Sequence, residues 1–401
     1  MKKIAVFTMG TRGDVQPYIY LAQALTDAGY EVTLGSHPCW KSLIEKSGVL
    51  FVPIGPDIDI EREASAIRSD STHPVVSMLK TMNFIFRIVQ NSSPEIFDAC
   101  KGKDLIIVSH SQMAATEAEV LGIPTVNVTL QTEMIPEKLK AMKPLQKALG
   151  KLIASQAAKP YNKVRKRYNL PKVNSMDEVM SNRLNLIPIS RHFIAPSPYW
   201  EPQHQMTGFW YTEDKEYAPD TSLATFLENG EKPVILALGA MSFEAKKEED
   251  KLSKFIRAFE ITGTRAIIQG FQMTLKTYTL PKSMLAVGPI PHSYLFRKGW
   301  CVIHHCGFGT SAASLIYGIP SIPVPHILDQ FANAERLVKI GAAVPPIKAS
   351  DLTEQRIVDA IMLMRSSYAE KFSRVTELSE LVKAEHGLDK SVELINQIMG
   401  D

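Results

Sequence analysis

The chain has 401 residues, enough for two or three domains with cores of their own. A net charge of +3 and an apolar share of 45% suit a globular protein and leave no footprint for nucleic acid. Four scattered cysteines (Cys39, Cys100, Cys301, Cys306) without C-x-x-C spacing argue against a zinc site or a disulfide framework. No apolar run reaches membrane-spanning length and no signal peptide precedes the first strand-like run, so a cytoplasmic protein is expected.

Residues 4–7 read as a buried strand and 18–28 as an amphipathic helix. Between them lies Gly10-Thr11-Arg12-Gly13-Asp14-Val15-Gln16-Pro17, in which Asp14 fits a helix N-cap with Pro17 just inside the helix. Arg12 is a mobile cation suited to an anionic ligand or to solvent. Strands are expected at 31–34, 50–53, 105–108 and 125–128, with a helix at 114–121 that stops at Gly122. Asp57-Ile58-Asp59 is formally a D-x-D pair, but its Gly-Pro loop reads as solvated, and no metal requirement is expected. Met82, Met113 and Met134, with Met78, Phe84 and Phe86, are core residues or the adaptable wall of a pocket for a flat apolar molecule.

From 138 to 167 the chain carries ten lysines and arginines and no acid, with Leu145, Leu149, Leu152 and Ile153 at helical spacing. This stretch is a solvated face packed on its domain, or a basic amphipathic segment in peripheral contact with an anionic membrane. Residues 195–219, rich in proline and aromatics without a period, read as a linker.

The alternation then restarts, with strands at 234–238, 265–269, 284–287 and 300–303 and a helix at 251–261. Two such series predict an α/β protein with two doubly wound, Rossmann-like parallel sheets. Their boundaries fall at 1–210 and 211–385, and 386–401 forms a last helix after a break near Gly387.

The strand at 300–303 runs into His304-His305-Cys306-Gly307-Phe308-Gly309-Thr310-Ser311 and a helix over 310–317, with Asp329-Gln330 about twenty residues on. A strand-to-helix turn of this kind offers backbone N–H groups and the positive end of a helix to an anion. Glycines let the backbone approach, and His305, Thr310 and Ser311 add hydrogen-bonding groups. A diphosphate is expected there, with Asp329 and Gln330 holding the polar group it carries. Gly307, Gly309 and Ala312 also satisfy the dinucleotide pattern G-x-G-x-x-A, which makes an NAD(P)-dependent oxidoreductase the rival reading. Against it, most of the chain precedes the motif, the paired histidines have no part in it, and Asp329 follows a proline-broken loop at 321–328.

The whole segment resembles the donor-binding signature of family 1 glycosyltransferases of the GT-B fold, nearest the sterol and antibiotic-aglycone branch. The resemblance covers nearly the full chain. It implies two Rossmann-like domains facing across a cleft, an acceptor-binding first domain, a nucleotide-sugar-binding second one, and a last helix packed back on the first. In the family His305 and the hydroxyls would meet the diphosphate, and Asp329 with Gln330 the sugar. Gly13-Asp14-Val15-Gln16-Pro17 resembles the turn in which plant relatives carry a histidine base, so Asp14 becomes the candidate base, with the cap as its alternative. Gly239 and Ser242 stand where relatives carry a Gly-Ser pair near the diphosphate, although Ala240 replaces the serine. Ala313 replaces a ribose-binding glutamate, and His292 in Pro291-His292-Ser293-Tyr294-Leu295-Phe296 is a candidate for the nucleotide base or a plain loop residue.

The resemblance implies an inverting, metal-independent transfer of a hexose, glucose first, from a UDP- or TDP-sugar to a hydroxyl of an apolar acceptor. No cofactor is expected beyond that co-substrate. A GT-B protein that binds the nucleotide sugar without transferring it is a further alternative.

Overall fold

A computed structural model describes the chain except for residues 59–62, 64–65, 68–73, 110, 139, 142–143, 214–216, 239–244, 276–277 and 401. Within helices it also leaves the side chains of 74–79, 81–82, 144–149, 245–247, 272–273 and 328 undescribed. The chain divides into two compact units. Unit 1 is Met1–Arg191, Ala195–Tyr211 and Glu385–Asp401; unit 2 is His192–Ile194 and Thr212–Ala384.

In chain order the first series is β1 (Lys3–Phe7), α1 (Arg12–Asp27), β2 (Glu31–Ser36), α2 (Lys41–Lys46) and β3 (Leu50–Pro53). It continues with α3 (Pro74–Asn91), α4 (Ser93–Cys100), β4 (Leu105–Val108), α5 (Ala115–Leu121), β5 (Thr125–Val128), α6 (Pro144–Arg167), β6 (Asn185–Ile187) and β7 (His204–Met206). The seven strands form one parallel sheet in the order β3-β2-β1-β4-β5-β6-β7. Every residue of β4 and all but the first of β1 are buried, as apolar runs in a parallel sheet covered on both faces must be.

The second series is α7 (Thr221–Glu228), β8 (Val234–Ala237), α8 (Ala245–Ile261), β9 (Ala266–Gln269), α9 (Gln272–Leu275), β10 (Met284–Val287), α10 (His292–Leu295) and β11 (Cys301–His304). Then come α11 (Phe308–Ile316), β12 (Ser321–Pro323), α12 (Leu328–Lys339), α13 (Glu354–Ser366), α14 (Tyr368–Lys383) and α15 (Gly387–Gly400). The five strands are again parallel, in the order β10-β9-β8-β11-β12. In both sheets the strand order reverses beside the first strand, at β1–β4 and at β8–β11. Ligands of open α/β sheets bind outside the carboxyl ends of the strands at such a reversal.

Terminal helix α15 belongs to unit 1. Tyr30 donates to Asn396 Oδ1 at 2.6 Å, Trp210 Nε1 to Ser391 Oγ at 2.8 Å and Lys390 to the Met206 carbonyl at 2.6 Å. Among the described residues no helix is long and apolar enough to cross a membrane.

Several sequence expectations need correction. Helix α1 begins at Arg12 rather than 18 and takes the Asp14 turn into its first turn. Residues 195–219 are not all linker, because His204–Met206 pairs with β6 as the edge strand of the first sheet. The loop expected over 321–328 contains β12, whose Pro323 ends an edge strand where its missing N–H is tolerated. On α6, the buried side is formed by Ala158, Tyr161, Val164 and Arg165, whereas Leu152 and Ile153 face solvent.

Candidate functional site

The loop after β11 enters α11 through a strained residue. Cys306 is fully buried with φ +62°, a left-handed backbone that non-glycine residues seldom adopt. That conformation lets its N–H donate to His304 Nδ1 at 3.1 Å and its carbonyl accept from Asn333 Nδ2 at 3.1 Å. Arg336 in turn donates to Asn333 Oδ1 at 3.0 Å, so α12 holds the turn in place. Gly307 caps α11, and a Cβ at this position would lie 2.4 Å from His305 Nε2, so only glycine leaves the ring its place. The first intrahelical bond runs from Ser311 N–H to the Gly307 carbonyl. Gly309 and Thr310 N–H therefore have no intrahelical acceptor at the positive end of the helix. His304 Nε2, His305 Nδ1 and Ser311 Oγ are buried polar atoms with no hydrogen-bond partner among the described residues. The turn predicted from sequence is thus built, with His304 as an additional polar member.

Burial holds both imidazoles neutral. His304 is pushed down to about 3 by burial, with His305 and His292 adding repulsion, and His305 to about 4 by burial, partly offset by a backbone bond at Ala237. His326, in the loop between β12 and α12, is lowered to about 3 by burial, with the Lys251 cation, and His305 once protonated, acting in the same direction. Sequence reasoning passed over His326 and Lys251, because nothing in their spacing ties them to the turn. These folded values lie below the ordinary 6.5, so the unfolded chain binds protons that the folded chain refuses as pH falls from 6.5 toward 4. Stability is expected to drop over that window, by about 1.4 kcal/mol per pH unit for one fully buried ring. His304→Asn keeps an acceptor for Cys306 N–H and removes one titrating group. Calorimetric midpoints against pH are expected to fall less steeply in this variant, and an equal slope would remove His304 from the acid response.

At the start of α12, Gln330 is buried and Asp329 exposed. The Gln330 Oε1 accepts from His326 N–H at 2.8 Å and Ile327 N–H at 3.3 Å, closing the first turn of the helix. Its oxygen has a structural task that spacing did not reveal, and its amide nitrogen lies outside that pair of bonds. Asp329 stands six residues past the end of β12, not at a strand end. That position removes the acid a dinucleotide motif needs. His292 opens α10 and stacks on Phe296 with ring centroids 4.4 Å apart.

In unit 1 the loop after β1 is equally determined. Thr11, not Asp14, is the N-cap of α1, and Asp14 is the third helical residue. Asp14 Oδ2 accepts from Thr11 N–H at 2.8 Å and Thr11 Oγ1 at 2.9 Å, while Thr8 Oγ1 donates to the Asp14 carbonyl at 2.9 Å. Gly10, at φ +137°, makes room, since a Cβ there would lie 2.4 Å from Asp14 Oδ2. Pro17 sits within the helix rather than just inside its start. Arg12 is exposed and donates to Gln16 Oε1 at 3.4 Å.

Across the strand-order reversal from β1, the loop after β4 carries two non-glycine residues in the left-handed region, Gln112 (φ +56°) and Ala114 (φ +76°). Strain of this kind gathers at ligand sites. Sequence reasoning took 114–121 for a plain helix and missed it. Between them Met113 is fully buried in the core with Met9 and Ala118, so it adds to packing and offers no accessible wall. Met134 ends a short 3₁₀ turn and is half-buried. The Met82 side chain, Gly239, Ser242 and Asp59 lie outside the described residues, and Asp57 is exposed.

Two family models match the chain. Residues 4–126 match the glycosyltransferase family 28 N-terminal domain, and 266–382 the C-terminal domain of erythromycin biosynthesis protein CIII-like proteins. The chain is 26% identical to the O-mycaminosyltylonolide 6-deoxyallosyltransferase of Streptomyces fradiae, covering 98% of this chain and 97% of that one. It is 27% identical to the sterol 3-beta-glucosyltransferase of Candida albicans over 98% of this chain but only 27% of that larger protein. Among solved structures, the spinosyn forosaminyltransferase SpnP has a TM-score of 0.75 at 15% identity, covering 100% of each chain. The glycosyltransferase VinC in complex with DTDP has a TM-score of 0.71 at 22% identity, covering 98% of each. Two Rossmann-like sheets, a helix-end turn after β11 and these matches agree: the chain belongs to the GT-B glycosyltransferases, in the branch that includes the antibiotic and sterol enzymes.

Proposed function

We propose that the protein is an inverting, metal-independent hexosyltransferase that moves glucose from a UDP- or TDP-sugar to a hydroxyl of an apolar small molecule or lipid. The observation that carries this reading is the β11–α11 turn, where a helix end coincides with His305 Nδ1 and Ser311 Oγ, which have no hydrogen-bond partner among the described residues. A diphosphate satisfies such groups. The relatives' names, an O-mycaminosyltylonolide 6-deoxyallosyltransferase and sterol 3-beta-glucosyltransferases, support an apolar hydroxylated acceptor. The DTDP of VinC supports a nucleoside diphosphate donor.

In this reading the acceptor oxygen attacks the anomeric carbon as the bond to the diphosphate oxygen breaks, and the hydroxyl proton passes to the Asp14 carboxylate. One in-line displacement inverts that carbon, with no enzyme nucleophile. The charge growing on the leaving diphosphate is met by the α11 N–H groups, Thr310, Ser311 and His305. His305, held neutral by burial, acts as a hydrogen-bonding group whose protonation an adjacent anion favours. His292 and the segment at 239–242 are proposed to complete the donor site, and Met134 and Met82 to contribute to acceptor binding.

Thermal-shift measurements with UDP-sugars, TDP-sugars and NAD(P) test the donor class, because a ligand at a hundred times its Kd stabilises by about 2.7 kcal/mol. Stabilisation by NAD(P) alone would overturn the reading. Binding of the nucleotide sugar without transfer to any hydroxylated acceptor would leave a non-catalytic GT-B protein. Transfer is expected to survive EDTA, and loss of activity restored by a divalent cation would refute metal independence.

Gln330→Glu keeps the oxygen that accepts from His326 and Ile327 but removes the amide N–H₂ group. The ratio of rates with UDP-glucose and UDP-galactose is expected to change with little loss of thermal stability. An unchanged ratio would confine Gln330 to its capping task.

A further inference from the structure

Helix α6 presents two sides of unlike chemistry. Its inner side is Ala158, Tyr161, Val164 and Arg165, with Tyr161 meeting Phe86 edge-on at 5.7 Å and Arg165 paired to Glu119. Leu152, opposite Tyr161 around the helix, is 59% exposed, and Ile153, about 100° round from Leu152, is 62% exposed. Lys151, Lys159, Lys163 and Lys166 are exposed as well and join no ion pair among the described residues. At 3.6 residues per turn, Lys159, Lys163 and Lys166 fall within about 40° of Leu152 around the helix. The outer side is therefore apolar near its middle and cationic toward its C-terminal end. Among the other described residues of the basic stretch, Lys138 pairs with Asp177 and Glu201 and Lys140 with Glu137. Among the described residues, Lys159, Lys163 and Lys166 lie on the outer side of the helix without an ion-pair partner.

We propose that this outer side of α6 is a peripheral docking surface for a bilayer containing anionic phospholipid. The transfer reaction does not require it, and it stands whether or not the donor assignment holds. A second copy of the chain is the poorer occupant, because a two-fold interface on this side would set lysines against lysines. An anionic bilayer answers both features at once. Leu152 and Ile153 enter the boundary between headgroups and acyl chains, and the lysines meet headgroup phosphates. Each lysine near such a surface raises the partition constant by roughly fivefold.

Co-sedimentation of the full chain with phosphatidylcholine vesicles, with and without phosphatidylglycerol, tests this. Binding is expected only with the anionic lipid and is expected to weaken at high salt. Leu152→Ser with Ile153→Ser is expected to reduce binding roughly tenfold or more, as is Lys159→Gln with Lys163→Gln and Lys166→Gln. All five positions are exposed, so thermal midpoints should hold and report that the variants are folded. No binding to anionic vesicles, equal binding without phosphatidylglycerol, or full binding by either variant would overturn the proposal. So would a dimer in solution that the Leu152→Ser, Ile153→Ser variant abolishes.

Discussion

Asp14→Asn is expected to slow sugar transfer by roughly a hundredfold or more while the protein remains folded. The geometry makes the two effects separable. Thr11 donates twice to Asp14 Oδ2, from its N–H at 2.8 Å and its hydroxyl at 2.9 Å, and the amide oxygen of asparagine can accept both bonds. An amide in place of the carboxylate cannot take the acceptor's proton. Asp14→Ala should lose the rate and also about 1 kcal/mol of stability, because the first turn of α1 then lacks its acceptor. Donor affinity, measured by calorimetry, is expected to persist in both variants. A fully active Asp14→Asn protein would reduce the residue to an anchor for the turn.

His305→Ala is expected to weaken use of the donor roughly tenfold to a hundredfold, the loss of one hydrogen bond to a charged oxygen. The fold should survive, since the ring's Nδ1 has no partner among the described residues and the substitution gives up only the ring's backbone bond at Ala237. Gly307→Ala supplies an independent check, because its Cβ would lie 2.4 Å from His305 Nε2 and displace the ring without deleting it. Both variants are expected to shift donor affinity with nearly unchanged thermal midpoints. Unchanged turnover together with unchanged donor affinity in His305→Ala would remove the residue from the site.

Much of this protein is determined by local pattern. Apolar runs such as Leu105–Val108 and Val234–Ala237, bounded by glycines or polar turns, have no stable place except inside a parallel sheet. The turn after β11 was legible because glycines, histidines and hydroxyls fall together where a strand meets a helix. Position in the sheet was not legible. Three-residue strands such as His204–Met206 and Ser321–Pro323 are too short and polar to signal themselves, and they exist because a neighbouring strand offers an unpaired edge. The same limit governs individual side chains. Spacing alone made Gln330 the holder of a polar group on the diphosphate and Asp14 a cap, and left Met113 between core and pocket wall. Tertiary packing turned the oxygen of Gln330 onto two backbone N–H groups, moved the cap of α1 to Thr11, and enclosed Met113 in the core. Burial, which no local pattern encodes, also decided that His304 and His305 are neutral. Composition and periodicity thus determine which residues form strands, helices and turns, because those depend on neighbours in the chain. Which polar atoms remain without partners, and so are left for a ligand, depends on neighbours in space.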